Sequence, residues 1–159
     1  MGTVAKTWLG ASAAAALLAA VTGCAGDATG PPPSAKSVIA KLKADGLPVG
    51  KVDNYTASSD PNKLLGRPDQ YVGKANFTDR RLKSDGQTSI DTTEGGSIEV
   101  FEDEDAAEKR EEYVKAITES ASLLAEYSYR EGRVFLRLGS DLTPDQAAKY
   151  ESALRKVGG

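Results

Sequence analysis

Hydrophobic and polar positions follow three successive patterns along the chain. From Thr7 to Thr22 every residue is small or apolar, with Trp8, Leu9, the run Ala13–Ala16, Leu17, Leu18 and Val21 and no charge. Residues 25–34 hold small, turn-forming and proline residues, and no apolar side chain larger than Pro. From Ala35 onward, apolar positions recur at the helix and strand spacings of a folded domain.

Within that third region, Val38, Ile39 and Leu42 form the apolar stripe of a helix capped by Ser34 and ended by Gly46 and Pro48. Val49 to Tyr55 predicts a strand. Asp60–Pro68 predicts a turn of helix closed by Gly66 and stopped by Pro68. Tyr71 to Leu82 alternates enough for one or two strands, and the polar residues 83–96 predict an exposed loop. Ile98 and Val100, between Ser97, Glu99 and Phe101, predict a strand buried on both faces near its end. Asp103 caps the next helix, whose stripe is Ala106, Arg110, Tyr113, Val114 and Ile117. Asp105/Lys109 and Glu111/Lys115, each four apart, support its outer face. Ala125–Tyr129 and Arg133–Leu138 flank Arg130-Glu131-Gly132 as a β-hairpin. Thr143-Pro144-Asp145-Gln146 opens a final helix that buries Ala147, Tyr150, Leu154 and Val157. This order predicts an α+β fold, with a small, largely antiparallel sheet and helices packed mainly on one face.

Charge and cysteine give the first two patterns a meaning. Lys6 is the only charged side chain in residues 1–23, so the segment has the short basic region and apolar core of an export signal. A membrane-spanning helix needs about 20 apolar residues. This stretch is shorter, rich in Ala and without a basic flank on its far side, so a retained anchor is the weaker alternative. Cys24 is the only cysteine in the chain and cannot form an internal disulfide. The run Val21-Thr22-Gly23-Cys24 resembles the lipobox of bacterial lipoprotein signal peptides. That resemblance implies a diacylglyceryl group on the Cys24 sulfur and cleavage just before it. Thr22 and Gly23 are small enough for a narrow peptidase cleft, and Val21 stands where Leu is the commonest choice. Two acyl chains hold a protein stably at a membrane, whereas one binds reversibly. An ordinary secretory signal with a cysteine beside it by chance is the alternative.

The domain organisation is therefore residues 1–23 as signal peptide, 24–34 as lipidated Cys24 and Pro/Gly-rich tether, and 35–157 as one globular domain. The expected location is the extracytoplasmic face of the cell membrane. The run Asp60–Pro68 with Tyr71 and Lys74, the strand, acidic turn and helix of Ile98–Tyr113, and Leu142-Thr143-Pro144 also resemble small uncharacterised lipoproteins of Gram-positive, actinobacterial-type bacteria. The resemblance implies an address and no activity.

Composition narrows the chemistry. The chain holds 20 Lys+Arg and 23 Asp+Glu for a net charge of −3, and without the leader the balance is −4. That mild acidity gives no reason to expect nucleic acid as a partner. With no His in the chain, Ser-His-Asp and Cys-His catalysis and most zinc or copper sites are excluded. No Gly-rich phosphate loop is present. Glu102-Asp103-Glu104-Asp105 lacks the ligand spacing of a calcium loop and suits a helix N-terminus. Arg80-Arg81 reads as a solvated strand end, and the sequons at Asn54 and Asn76 as coincidence in a bacterial leader context. Tyr127 and Tyr129, two apart on one strand face with Arg130 and Arg137 near, are either a ligand surface or sheet packing. No metal, cofactor or catalytic residue is expected. The expected function is a non-enzymatic binding module whose partners are the membrane, through Cys24, and a protein or cell-envelope component. The alternatives are a small-ligand carrier or protein inhibitor using the hairpin face and, more remotely, a carboxylate-only hydrolase. Cys24→Ser is expected to release the protein from the membrane fraction or leave its precursor unprocessed. Fractionation showing unchanged processing and retention defeats the lipid reading.

Overall fold

A computed structural model of the chain describes residues 1–2, 30–83, 89–121 and 124–157. The lipobox residues Val21, Thr22, Gly23 and Cys24 lie outside the described residues. Five strands, β1 (Val49–Asn54), β2 (Gly73–Asp79), β3 (Gly95–Val100), β4 (Glu126–Glu131) and β5 (Val134–Gly139), form one antiparallel sheet in the order β1-β2-β3-β5-β4. Helices α1 (Ala35–Ala44), α2 (Glu104–Ser120) and α3 (Pro144–Arg155) pack against it, giving the α+β architecture that the pattern predicts.

The period of two along each strand separates two unlike faces. Ala75, Phe77, Ile98, Val100, Val134, Leu136 and Leu138 turn toward α1 and α3 and build the larger core with Val38, Leu42, Ala147, Tyr150 and Leu154. Phe135 turns the other way. There α2 lays Ala106, Ala107 and Val114 over it, beside Tyr71 and Phe101. Two helices thus share one face, and the third crosses part of the opposite one.

Local chemistry starts each helix where the sequence places it. The Ser34 side chain accepts from the Ser37 amide and that of Asp103 from Ala106, while Thr143 and Gln146 form a reciprocal capping box. The hairpin turns at Gly132 and Arg133, one residue later than expected, because the left-handed backbone (φ +52°) falls at Gly132. Arg133 reaches back from this turn, its Nη1 donating to the Gly30 carbonyl at 2.9 Å and its Nη2 to that of Pro31 at 3.3 Å.

Five further expectations need correction. Asp60–Pro68 is not helical: the Asp60 carboxylate accepts the amides of Asn62, Leu64 and Leu65, so these donors do not go to helix carbonyls. Tyr113 leaves the buried stripe and is 59% exposed, because Val114 takes the inward position. Within residues 83–96, Ile90, Glu94, Gly95 and Gly96 are buried. Asp91 and Glu94 close a 3₁₀ turn over the end of the sheet, where a Cβ at Gly139 would stand 2.9 Å from the Thr92 carbonyl. Arg81 is not simply solvated, since it makes a bidentate pair with buried Asp79, which also accepts from the Tyr150 hydroxyl. On α2, Glu111 and Lys115 pair at 2.9 Å, and no ion pair joins Asp105 to Lys109 among the described residues. Leu136→Ala is expected to cost about 2–5 kcal/mol in urea unfolding, and Val72→Ala, at a 43% exposed position, no more than about 0.5 kcal/mol.

Candidate functional site

Strand register aligns polar side chains across the face beneath α2. Asp53, Asn76, Ser97, Arg137 and Ser128 stand in one row over the five strands. The next row holds Lys74, Glu99, Phe135 and Arg130. Near its start α2 covers this surface with its small apolar core. Past Val114 it has less to bury, and a cleft of about 750 Å³ opens between the sheet, the second half of α2, the 55–64 segment and the 89–93 segment.

Two ion-pair systems wall the cleft. Glu99, fully buried in β3, accepts from Arg110 Nε at 2.7 Å and Arg110 Nη2 at 3.1 Å. Arg137 Nη1 lies 3.8 Å from the same carboxylate, while its Nε and Nη2 each donate to Glu126 at 2.7 Å. On the other side, buried Asp60 accepts from Lys74 Nζ at 3.0 Å and from the Tyr71 hydroxyl at 2.7 Å. The Lys74 ammonium also lies 5.3 and 5.2 Å from the ring centres of Tyr55 and Tyr71.

The surroundings fix the protonation states. Burial alone would raise the Asp60 pKa, but hydrogen bonds from Tyr71, Leu64, Lys74 and Leu65 outweigh it and hold the carboxyl well below the usual range. Burial, and then the bond to Asp60, push the Tyr71 phenol up. Tyr55 is raised by burial and by the charges of Asp53, Asp60 and Asp91. Burial works against the Arg137 charge, yet Glu126 and Glu99 raise its pKa. Each of these shifts carries the pKa further from neutral pH, keeping both phenols uncharged and Asp60 and Arg137 charged, so none of the four is poised to exchange protons there.

The floor differs from the walls. Asn76 Nδ2 donates to the Ile90 carbonyl at 2.7 Å and to the Tyr55 hydroxyl at 3.3 Å, and Asp53 accepts the Ile90 amide at 3.2 Å. These bonds hold the 89–93 wall in place. Asn76 Oδ1 and Ser97 Oγ, by contrast, are buried with no hydrogen-bond partner among the described residues. Buried polar atoms are rarely left so. They belong to directly opposed residues on β2 and β3, and both residues line the cleft.

Tyr127 and Tyr129 lie elsewhere. They are half-buried on the face of α1 and α3 and pack against its core. Arg130 and Arg137 turn to the opposite face, so the sequence neighbourhood of these four residues is not a spatial one. Arg130 Nε donates to Glu111 on α2 at 2.8 Å. Asn76, met in the sequence only as part of a sequon, is too buried for a glycan. The acidic run 102–105 serves the start of α2, with Asp103 Oδ1 2.8 Å from the Ala106 amide. Among the described residues no group of three or more acidic side chains is arranged to hold a metal ion. Nor is any described helix long and apolar enough to cross a membrane. Sequence reasoning missed Lys74, Asn76, Ser97, Glu99, Arg110 and Arg137 as one site. The available signal was the polar alternation of Lys74 and Asn76 against Ala75 and Phe77, and of Ser97 and Glu99 against Ile98 and Val100.

Comparison with models of protein families, with curated proteins and with solved structures finds no match for this chain.

Because folding lowers the Asp60 pKa, its ionised form stabilises the native state above the unfolded value of about 3.9, and this contribution fades as pH falls through the lower native value. Asp60→Asn is expected to leave Lys74 buried without its counter-charge and to cost about 3–5 kcal/mol at pH 7. Its urea midpoint is expected to fall less steeply than that of the parent below about pH 4. Parallel acid slopes for the two proteins would count against this role for Asp60.

Proposed function

We propose that this chain is a lipid-anchored binding module on the extracytoplasmic face of the membrane, with its binding site in the cleft beneath α2. One observation carries the site: Asn76 Oδ1 and Ser97 Oγ are buried and unpartnered on two opposed residues that line an open cleft. Leaving such atoms dry costs stability, and an occupant that completes their hydrogen bonds removes that cost. The volume, about 750 Å³, suits a small ligand or one projecting group of a larger one.

The ion-pair geometry favours binding over catalysis. Glu99 and Glu126, two carboxylates beside the floor, each have both oxygens in contact with an arginine. A carboxylate held in that way is a poor general acid or base. Orientation also supports an anchored module. The Gly30–Pro31 segment is held at the β4–β5 turn, whereas Gly139 and Ser140, at the other end of β5, line the cleft. The chain leaving toward Cys24 therefore departs from the end of the sheet opposite the site.

A photo-crosslinking residue placed at Leu124 on the cleft rim, at Tyr129 or at Lys149 tests this in intact cells. A discrete adduct is expected from position 124 alone, and it should be lost when Cys24→Ser removes the anchor. Adducts from position 129 or 149, with none from 124, would move the site to the opposite face.

A further inference from the structure

The residues of the cleft also select the chemistry of what fills it, and this step rests on the cleft being a binding site. We propose that the cleft takes a neutral polyhydroxyl ligand, a short glycan, with one hydroxyl seated between Asn76 and Ser97. Directly opposed residues of an antiparallel pair have Cβ atoms about 4.5–5.5 Å apart. One oxygen atom can therefore reach both side chains. Asn76 Oδ1 can only accept, and its amide nitrogen is already engaged. Ser97 Oγ can donate. A single hydroxyl donates to the first and accepts from the second, and so satisfies both orphaned atoms.

Charge and topology exclude the competitors. Lys74, Arg110 and Arg137 are each matched by Asp60, Glu99 or Glu126, so among the described residues lining the cleft no cation is left over for an anionic ligand. The carboxylates of Asp60, Glu99 and Glu126 are engaged in the same pairs, so they offer no free charge to a cationic one either. An apolar occupant would leave Asn76 Oδ1 and Ser97 Oγ dry. An extended peptide recognises a sheet chiefly through an unpaired strand edge. The floor here comes from β2, β3 and β5, whose edges are all paired within the sheet.

The rim suits the other side of a sugar. Tyr113 stands there more than half exposed, with the Arg110 guanidinium 5.6 Å from its ring centre. Leu124, also more than half exposed, and half-buried Ile117 line the same cleft. A pyranose can lay its C–H face on this apolar rim while its hydroxyl edge meets the polar floor.

Backbone-amide NMR of the full chain, purified in detergent, tests the proposal with maltotriose, cellotriose and the N-acetylglucosamine trimer. A galacturonate trimer and a blocked trialanine amide serve as comparators. At least one neutral oligosaccharide is expected to shift the signals of residues 76, 97 and 113 in a saturable way. Ser97→Ala is expected to weaken it about 5-fold or more. Tyr113→Ala, at an exposed position with no role in the core, should weaken it too, with the thermal midpoint of both variants near that of the parent. If only the uronate or the peptide shifts these signals, the ligand class is overturned and the cleft stands as a site. If none of the probes moves them, and a crystal structure places one water on Asn76 Oδ1 and Ser97 Oγ, the ligand class and the cleft as a site fall together.

Discussion

Burying the Glu99 carboxylate in the central strand obliges the structure to bring arginines to it, and the position of α2 follows from that need. An unpaired charge at this depth would cost several kcal/mol. Arg110 meets both carboxylate oxygens, and a bidentate pair tolerates little sliding. Arg110 shares its helix face with Ala106 and Val114, so the ion pair and the small apolar core beside it set the same register. Arg137 extends the arrangement to Glu126 and thereby holds the start of β4.

The two faces of the sheet divide their tasks. The α1/α3 face carries nearly all the large aliphatic side chains of the core, and with them most of the hydrophobic stabilisation. Relieved of that task, the α2 face can keep Lys74, Asn76, Ser97, Glu99 and Arg137 in its interior. Buried ion pairs contribute little net stability compared with apolar packing, but they fix geometry. Here they set the walls of a cleft whose floor is left incompletely bonded. The Asp60 loop does the same on the far side, where one carboxylate gathers three amides, a phenol and an ammonium.

Much of the fold was legible because it is written in local chemistry. Caps at Ser34, Asp103 and Thr143, the alternation of β3 and β5 and the glycine of the hairpin turn act within a few residues of themselves. The Asp60 segment was misread because Gly66 and Pro68 end a helix and a turn equally well. What decides between them is a carboxylate whose partners Tyr71 and Lys74 lie more than ten residues on. Tyr113 misled because it sits beside Val114, and only the packed helix chooses which of the two turns inward. The site was hidden for a further reason. Alternation in β2 and β3 separates an apolar face from a polar one, and a polar face normally means solvent. That a helix closes over it depends on the Arg110–Glu99 contact, which no spacing rule reports. Tyr127 and Tyr129 drew attention instead, since paired aromatics look alike whether they seal a core or face a ligand.

The clamp of Arg133 on the Gly30 and Pro31 carbonyls has a consequence for reach. Under the anchoring proposed for Cys24, only the chain from Cys24 to Gly30 separates the lipid from the clamp. Six such steps span at most about 20 Å, and the length of β5 adds roughly as much again. The mouth of the cleft would thus sample a layer of envelope within about 40 Å of the bilayer. Under that proposal the tether would work as a depth gauge: the composition of that thin layer, rather than of the surrounding medium, would set the ligand concentration that the cleft meets.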